Sequence, residues 1–333
     1  MGVGWCLIMG QVGDRAITVS PMLDLRGERS GETLYEVLAG HARRDATAAA
    51  ILAYARPALS FGGLLNSIDT IRRALNHCGL GSGDRIALFA ERGPDVVVAV
   101  CGIASCAVCV PLNPAAPPFE LGQSLSQTRA KALLVATSTP TTLKNLAHRA
   151  GIKLLEYSID ESGPIGKFRI EGNGVGDAPR SGLASSEEPA LVMRTSGTTA
   201  QAKIVPLNHD TIVAQAMKLR RVFDLSAADR CLNAMPLCYA HGLVTGTLMP
   251  LVIGGAVIEP STFDAEMFLA CMREFLPTWY TATPPYHQAI PGLAAATARR
   301  PCRPPFAFHT FRLGYIAPAT RSCRGRNPRC AIA

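Results

Sequence analysis

The stretch "RTSGTTAQAK", residues 194–203, decides how this chain is read. It sets four hydroxyl side chains, Thr195, Ser196, Thr198 and Thr199, around Gly197, and Lys203 follows close behind. Gly197 lets a ligand come near the backbone. Successive backbone N–H groups in a tight turn form an anion-binding nest. The hydroxyls add donors without charge, and Lys203 adds a mobile point charge. Such a loop suits a polyphosphate. A Ser/Thr-rich turn beside a surface lysine is the purely structural alternative. The chain carries neither a Walker A pattern nor a GxSxG elbow, which sets aside P-loop kinases and α/β hydrolases.

The segments around the loop alternate between strand and helix. Residues 190–193 read as a strand leading into it, and "KIVPL" is short and extended. Asn208 is placed to cap a helix with Ile212, Ala216, Leu219 and Phe223 on one face. Lys218, Arg220 and Arg221 stand near its end, where the helix dipole favours positive charge. A strand over 230–234, a helix after His241 and a strand over 256–259 follow. Nearer the N-terminus, Leu64, Ile68, Ile71 and Leu75 share a helical face, with Gly79 as its stop. Strands are expected within "GSGDRIALFA" and over 107–111 and 133–136, with a helix over 96–104. Residues 158–189 are rich in Gly, Ser, Pro and charge and read as a connector with one strand over 167–170. Gly172, Gly174 and Gly176 lack the strand–turn–helix setting of a dinucleotide fingerprint and read as loop.

This rhythm predicts an α/β fold: two similar subdomains of mostly parallel sheet covered by helices, with a cleft between them. The expected divisions are a poorly defined leader over 1–30, a first subdomain with its connector over 31–188, a second over 189–318 that carries the loop, and a basic tail over 319–333.

Composition narrows the function. The chain has 333 residues, enough for about two domains, and 48% hydrophobic content, as in a globular protein. Of the net charge of +8, four positive charges come from Arg321, Arg324, Arg326 and Arg329. The charge is therefore not a uniform basic surface, and no nucleic-acid partner is expected. Eleven cysteines, an odd number with no secretory leader, point to reduced thiols and a cytoplasmic setting. Cys106 and Cys109 form a CxxC with no histidine or charge beside it, so they read as buried structural thiols. The apolar runs 96–112 and 242–258 are broken by glycine or proline and read as a buried helix entering a buried strand, with no membrane span.

Further segments fall in a recognisable order. They are "LSFGGL" (59–64), "AVCVPLNPAAPPFEL" (107–121), "TSGTTAQAKIVPLNH" (195–209), "AMPLCYAHGL" (234–243) and "PTWYTATPPYHQAI" (277–290). Together, from Thr33 to Phe311, they resemble the core motifs of the AMP-forming acyl-CoA synthetases, a branch of the adenylate-forming ligase superfamily. Their wording is most similar to the oxalate–CoA ligase branch.

The resemblance implies the large N-terminal domain of such enzymes and a two-step reaction. A carboxylate attacks the α-phosphate of Mg2+-bound ATP, and a thiol, usually of coenzyme A, then takes the acyl group. By the same resemblance Thr195, Ser196, Gly197, Thr198, Thr199 and Lys203 would hold the outer phosphates. Mg2+ would bridge phosphate oxygens. His241 and Tyr239 would face a small-molecule carboxylic acid, Tyr239 standing where the family most often has histidine. Packing alone is the structural alternative for both.

The chain also departs from the pattern. Ala200, Ala202 and Ile204 stand where the family usually has glycine, proline and glycine. No YGxTE-like motif, ribose-binding aspartate motif, hinge or lid lysine is found. Three readings follow: an AMP-dependent acid–CoA ligase; a truncated, catalytically incomplete fragment that at most binds nucleotide or acyl group; and a non-catalytic interaction protein on the same scaffold. The missing motifs favour the second on physical grounds and lead to an expectation of negligible ATP–pyrophosphate exchange. A short basic tail for an anionic partner is the functional reading of "TRSCRGRNPRCAIA".

Overall fold

The structure is a computed structural model that describes residues 8–12, 15–19, 29–160, 162–172, 176–195, 203–262, 264–282 and 313–315. The inner phosphate-loop residues Ser196, Gly197, Thr198 and Thr199, the substituted Ala200 and Ala202, the segment after Ala282 and the tail over 319–333 lie outside the described residues.

Two strands come first, β1 (Ile8–Val12) and β2 (Arg15–Val19), paired antiparallel. They fall within the span read as a poorly defined leader. The register joins Val12 to Arg15, so two residues connect the strands, and Gly13-Asp14 is a dipeptide suited to that role.

Helix α1 (Leu34–Arg44) opens with a capping box. Thr33 Oγ1 accepts the Glu36 N–H at 3.1 Å, and Glu36 Oε2 accepts the Thr33 N–H at 2.7 Å. Strands β3 (Ala49–Ala53) and β4 (Arg56–Ser60) form a hairpin. Ser60 then caps α2 (Phe61–His77), which buries the expected face of Leu64, Ile68, Ile71 and Leu75. Gly79, at φ +74°, ends it in the left-handed region that glycine tolerates.

An alternating series follows: β5 (Arg85–Phe89), α3 (Pro94–Ala104), β6 (Val108–Pro111), α4 (Pro118–Gln127), β7 (Ala132–Ala136), α5 (Thr141–Arg149) and β8 (Lys153–Ile159), closed by β9 (Phe168–Gly172). Beyond the connector come β10 (Pro189–Thr195), β11 (Lys203–Asn208), α6 (His209–Phe223) and β12 (Arg230–Asn233). A π-helix (His241–Leu248) runs into α7 (Met249–Ile253), followed by β13 (Ala256–Ile258), α8 (Ala265–Phe275), β14 (Trp279–Thr281) and β15 (Leu313–Tyr315).

The larger strands build two sheets. The first has the order β11-β10-β6-β5-β7-β8-β9, parallel inside and antiparallel at both edges. The second has the order β15-β14-β12-β13-β3-β4, parallel except at β3–β4. The expected boundary at 188/189 is therefore not the boundary between sheets. Strands β10 and β11 follow that point yet complete the first sheet, and β3 and β4 precede it yet complete the second. The physical reason is the open flank of β13, where Val257 and Ile258 pair with Ile51 and Leu52. A short apolar strand stays buried there.

Side chains alternate across each strand and so define the layers. Ile86 and Leu88 of β5 join a core with α1, α2, α3 and α6, which lie between the sheets, and Ile51 and Val257 enter the same core from the second sheet. On the opposite face of the first sheet, Ala87, Val108 and Val135 pack on Leu121 and Leu125 of α4 and Leu146 of α5. On the outer face of the second, Leu232, Ile258 and Tyr280 pack on Phe268 and Cys271 of α8.

The apolar runs 96–112 and 242–258 fold as expected, each as a helix entering a buried strand. Among the described residues no helix is long and apolar enough to cross a membrane. Cys106 and Cys109 are buried free thiols, and burial pushes Cys106 up to about 12 and Cys109 higher still.

Candidate functional site

Parallel α/β sheets leave a crevice at the carboxyl ends of their strands, where ligands collect. Here the carboxyl ends of the two sheets approach each other in three places, two of them through side-chain contacts. Arg92, just past β5, donates through Nη2 to Glu259 Oε1 at 2.9 Å and to the Asn233 carbonyl at 2.9 Å. Cys238 Sγ lies 3.9 Å from Oδ1 of Asn113, which follows β6. A side chain built at Gly93 would meet Ser261, just past β13, at 3.9 Å.

The two described ends of the hydroxyl-rich stretch stand at this rim. Thr195 ends β10 and pairs across the antiparallel register with Lys203, which begins β11. Arg194 donates through Nη1 to Ser124 Oγ on α4, while its buried Nε has no hydrogen-bond partner among the described residues. An unsatisfied guanidinium N–H beside the loop fits an anionic occupant. Ile204, the other departure from the family pattern, is an exposed position on β11.

Past β11, Asn208 stands at the N-cap of α6 as expected, but its side chain makes no capping bond. Backbone carbonyls of the connector act in its place: Glu188 accepts the His209 N–H at 3.2 Å, and Ser186 accepts that of Asp210 at 3.1 Å. Nearness of the connector makes the side-chain cap redundant.

The segment "AMPLCYAHGL" leaves β12 and enters the π-helix. His241 is its first residue, and His241 Nε2 is hydrogen-bonded to Thr281 Oγ1 at the end of β14. Burial lowers the imidazole pKa to about 4, so it is neutral at neutral pH. Tyr239 stands two residues earlier and is 43% exposed. Two glycines let this segment pack so closely. A Cβ on Gly242 would sit 2.3 Å from the Pro236 carbonyl oxygen, and one on Gly246 would sit 2.5 Å from Asn233 Oδ1. Wide π-turns recur at functional sites.

Sequence reasoning missed Arg92, Asn233, Glu259 and Thr281. Glu259 is fully buried, and burial raises its pKa against the opposing pull of Arg92 and Asn233. A carboxylate closing the apolar run "GGAVIE" was the available signal, since such a residue needs a partner.

The chain is similar to known proteins over most of its length. A family model described as "AMP-binding enzyme" matches residues 38–313. The sulfoacetate–CoA ligase of Cupriavidus necator is 27% identical over 271 residues, covering 76% of this chain and 52% of that protein. The oxalate–CoA ligase of Arabidopsis thaliana is 29% identical over 248 residues, covering 71% and 48%. The chain thus spans about half the length of these relatives. Among solved structures, apo MatB from Rhodopseudomonas palustris superposes with a TM-score of 0.64 at 22% identity, over 78% of this chain and 50% of MatB. A long-chain-fatty-acid–CoA ligase from Archaeoglobus fulgidus superposes with a TM-score of 0.69 at 18% identity, over 80% and 55%. At these identities the structural likeness establishes the fold: two mostly parallel sheets covered by helices, as in adenylate-forming enzymes.

Proposed function

Because this chain belongs to the family of AMP-binding enzymes, we propose that it is the nucleotide- and acyl-binding part of an ATP-dependent, AMP-forming acid–CoA ligase. The observation that supports this reading is the Thr195–Lys203 register pair, which brings the two described ends of the hydroxyl-rich stretch side by side on β10 and β11. Thr195, Ser196, Gly197, Thr198 and Thr199 offer hydroxyl and backbone donors to the outer phosphates, and Lys203 offers charge. Phosphoryl chemistry of this kind needs positioning and charge neutralisation more than covalent help.

ATP, when bound, supplies the adenylyl group that activates the acid, and coenzyme A supplies the thiol that later receives the acyl group. Among the described residues no cluster of three or more His, Cys, Asp or Glu side chains is arranged to hold a metal. Mg2+, when present, would come with the nucleotide phosphates.

On the acyl side, neutral His241 and the Tyr239 phenol serve as hydrogen-bond partners for the acid. A neutral imidazole orients a carboxyl group without the strong, indiscriminate pull of a full charge. The relatives named for sulfoacetate and oxalate make a short acid the first candidate substrate. The seven free cysteines among the described residues support a reducing setting, the cytoplasm.

The test is calorimetric titration with 5′-O-(N-acetylsulfamoyl)adenosine, a stable mimic of an acyl-adenylate. Saturable binding that His241→Ala weakens about tenfold or more, the worth of one or two buried hydrogen bonds, is the expected result. Absence of binding by the parent chain overturns the reading.

A further inference from the structure

We propose that Arg92, Glu259 and Asn233 form a positioning network that holds the π-helix, and through it His241, at the cleft. The contacts run through both carboxylate oxygens of Glu259 and both polar atoms of the Asn233 amide. Glu259 accepts from Arg92 Nη2 at 2.9 Å through one carboxylate oxygen and from Asn233 Nδ2 at 2.8 Å through the other. Asn233 Nδ2 also donates to Thr247 Oγ1 at 3.1 Å, and Thr247 Oγ1 donates to the Gly242 carbonyl at 3.0 Å. Asn233 Oδ1 accepts the Met235 N–H at 3.0 Å. One asparagine thus grips the segment entering the π-helix at Met235 and its turns at Thr247. Gly246 presses on both Asn233 and Thr281, where a Cβ would come within 2.5 and 2.8 Å respectively, and Thr281 holds the His241 imidazole.

Simple stability does not explain this choice of residues. The Arg92 side chain is 12% exposed and that of Glu259 fully buried. Apolar residues of similar volume often serve stability as well as a buried ion pair, or better. A charged pair does what they cannot: it fixes direction. Arg92 comes from the first sheet, Glu259 and Asn233 from the second. The pair therefore sets the spacing of the two strand-end rims as well as the pose of His241. In the proposed reaction none of the three touches the reacting atoms. They are positioning residues, and the inference rests on the reading that His241 faces the acyl group.

The experiment compares the parent chain with the double variant Arg92→Met/Glu259→Met. Urea unfolding reports the fold, and a long-range 1H–15N spectrum reports the His241 imidazole, assigned by its loss in His241→Asn. The expected outcome is a double variant with an unfolding midpoint near the parent's, shifted His241 nitrogen resonances, and at least tenfold weaker binding of 5′-O-(N-acetylsulfamoyl)adenosine. If the double variant does not fold, Glu259→Gln carries the same spectral comparison at constant volume. Unchanged His241 resonances in a folded variant overturn the positioning role, whatever binds. Shifted resonances with no binding by either protein uphold the positioning role and instead defeat the proposed function.

Discussion

Arg92 and Glu259 are 167 residues apart in sequence and meet at 2.9 Å across the line where the two sheets converge. Removing Glu259 leaves the largely buried Arg92 guanidinium without its carboxylate. Glu259→Ala should therefore cost about 3–5 kcal/mol of unfolding free energy, while the apolar double replacement should cost little. Urea unfolding of the single and double variants measures both. Equal losses in the two proteins would mean that the charge pairing itself is immaterial.

Acid should loosen the core through His209. This residue is fully buried on α6, its Nδ1 accepts the Leu34 N–H at 3.2 Å, and burial lowers its pKa from 6.5 to about 4. The unfolded chain binds the proton more readily than the folded one. The contribution is thus complete above pH 6.5, declines as pH falls, and is gone below about 4. It amounts to about 3 kcal/mol over that window. His209→Gln should reduce the slope of the stability–pH curve between pH 6.5 and 4, the buried His241 keeping its own share over the same window. An unaltered slope would mean that another group carries the acid sensitivity.

Glycines at the cleft and on the surface should respond in opposite directions. A Cβ on Gly242 would strike the backbone oxygen of Pro236 at 2.3 Å, whereas one on Gly122, inside α4, meets nothing within 4 Å. Gly242→Ala should destabilise by about 1–3 kcal/mol through overpacking. Gly122→Ala should stabilise by about 0.5–1 kcal/mol through helix propensity and the reduced freedom of the unfolded chain. Thermal unfolding of the two variants separates these outcomes, and similar shifts of one sign would refute the packing described around Gly242.

Cys101, Cys106 and Cys109 should resist alkylation in the folded chain. All three are buried, and burial drives their thiols far above the usual range. Iodoacetamide labelling read by mass spectrometry should modify them only when denaturant is added. Rapid labelling under native conditions would contradict their placement.

Much of this fold is legible in local pattern. The spacing of Leu64, Ile68, Ile71 and Leu75 is the buried face of α2, and Gly79 does end it. The apolar strands β5, β6 and β7 stand where expected. Strand exchange between sheets was not legible. The β3–β4 hairpin turns at Ala55, at φ 58°, with no Gly or Asn to mark it, and β3 pairs with β13 some two hundred residues away. Short motifs brought Thr195, Lys203, Tyr239 and His241 to notice, because those residues lie within contiguous stretches of sequence. Arg92, Asn233, Glu259 and Thr281 have no such spacing. Only the fold brings them together, and only burial shows that Glu259 must have partners.

The central claim is that the loop between β10 and β11 receives the phosphates of ATP. Equilibrium titration with MgATP, comparing the parent chain with Lys203→Ala and with the exposed connector control Lys167→Ala, tests it most directly. The account predicts measurable binding that Lys203→Ala weakens by about tenfold or more, the worth of one charge-assisted hydrogen bond, and that Lys167→Ala leaves unchanged. An identical dissociation constant for Lys203→Ala and the parent would contradict it.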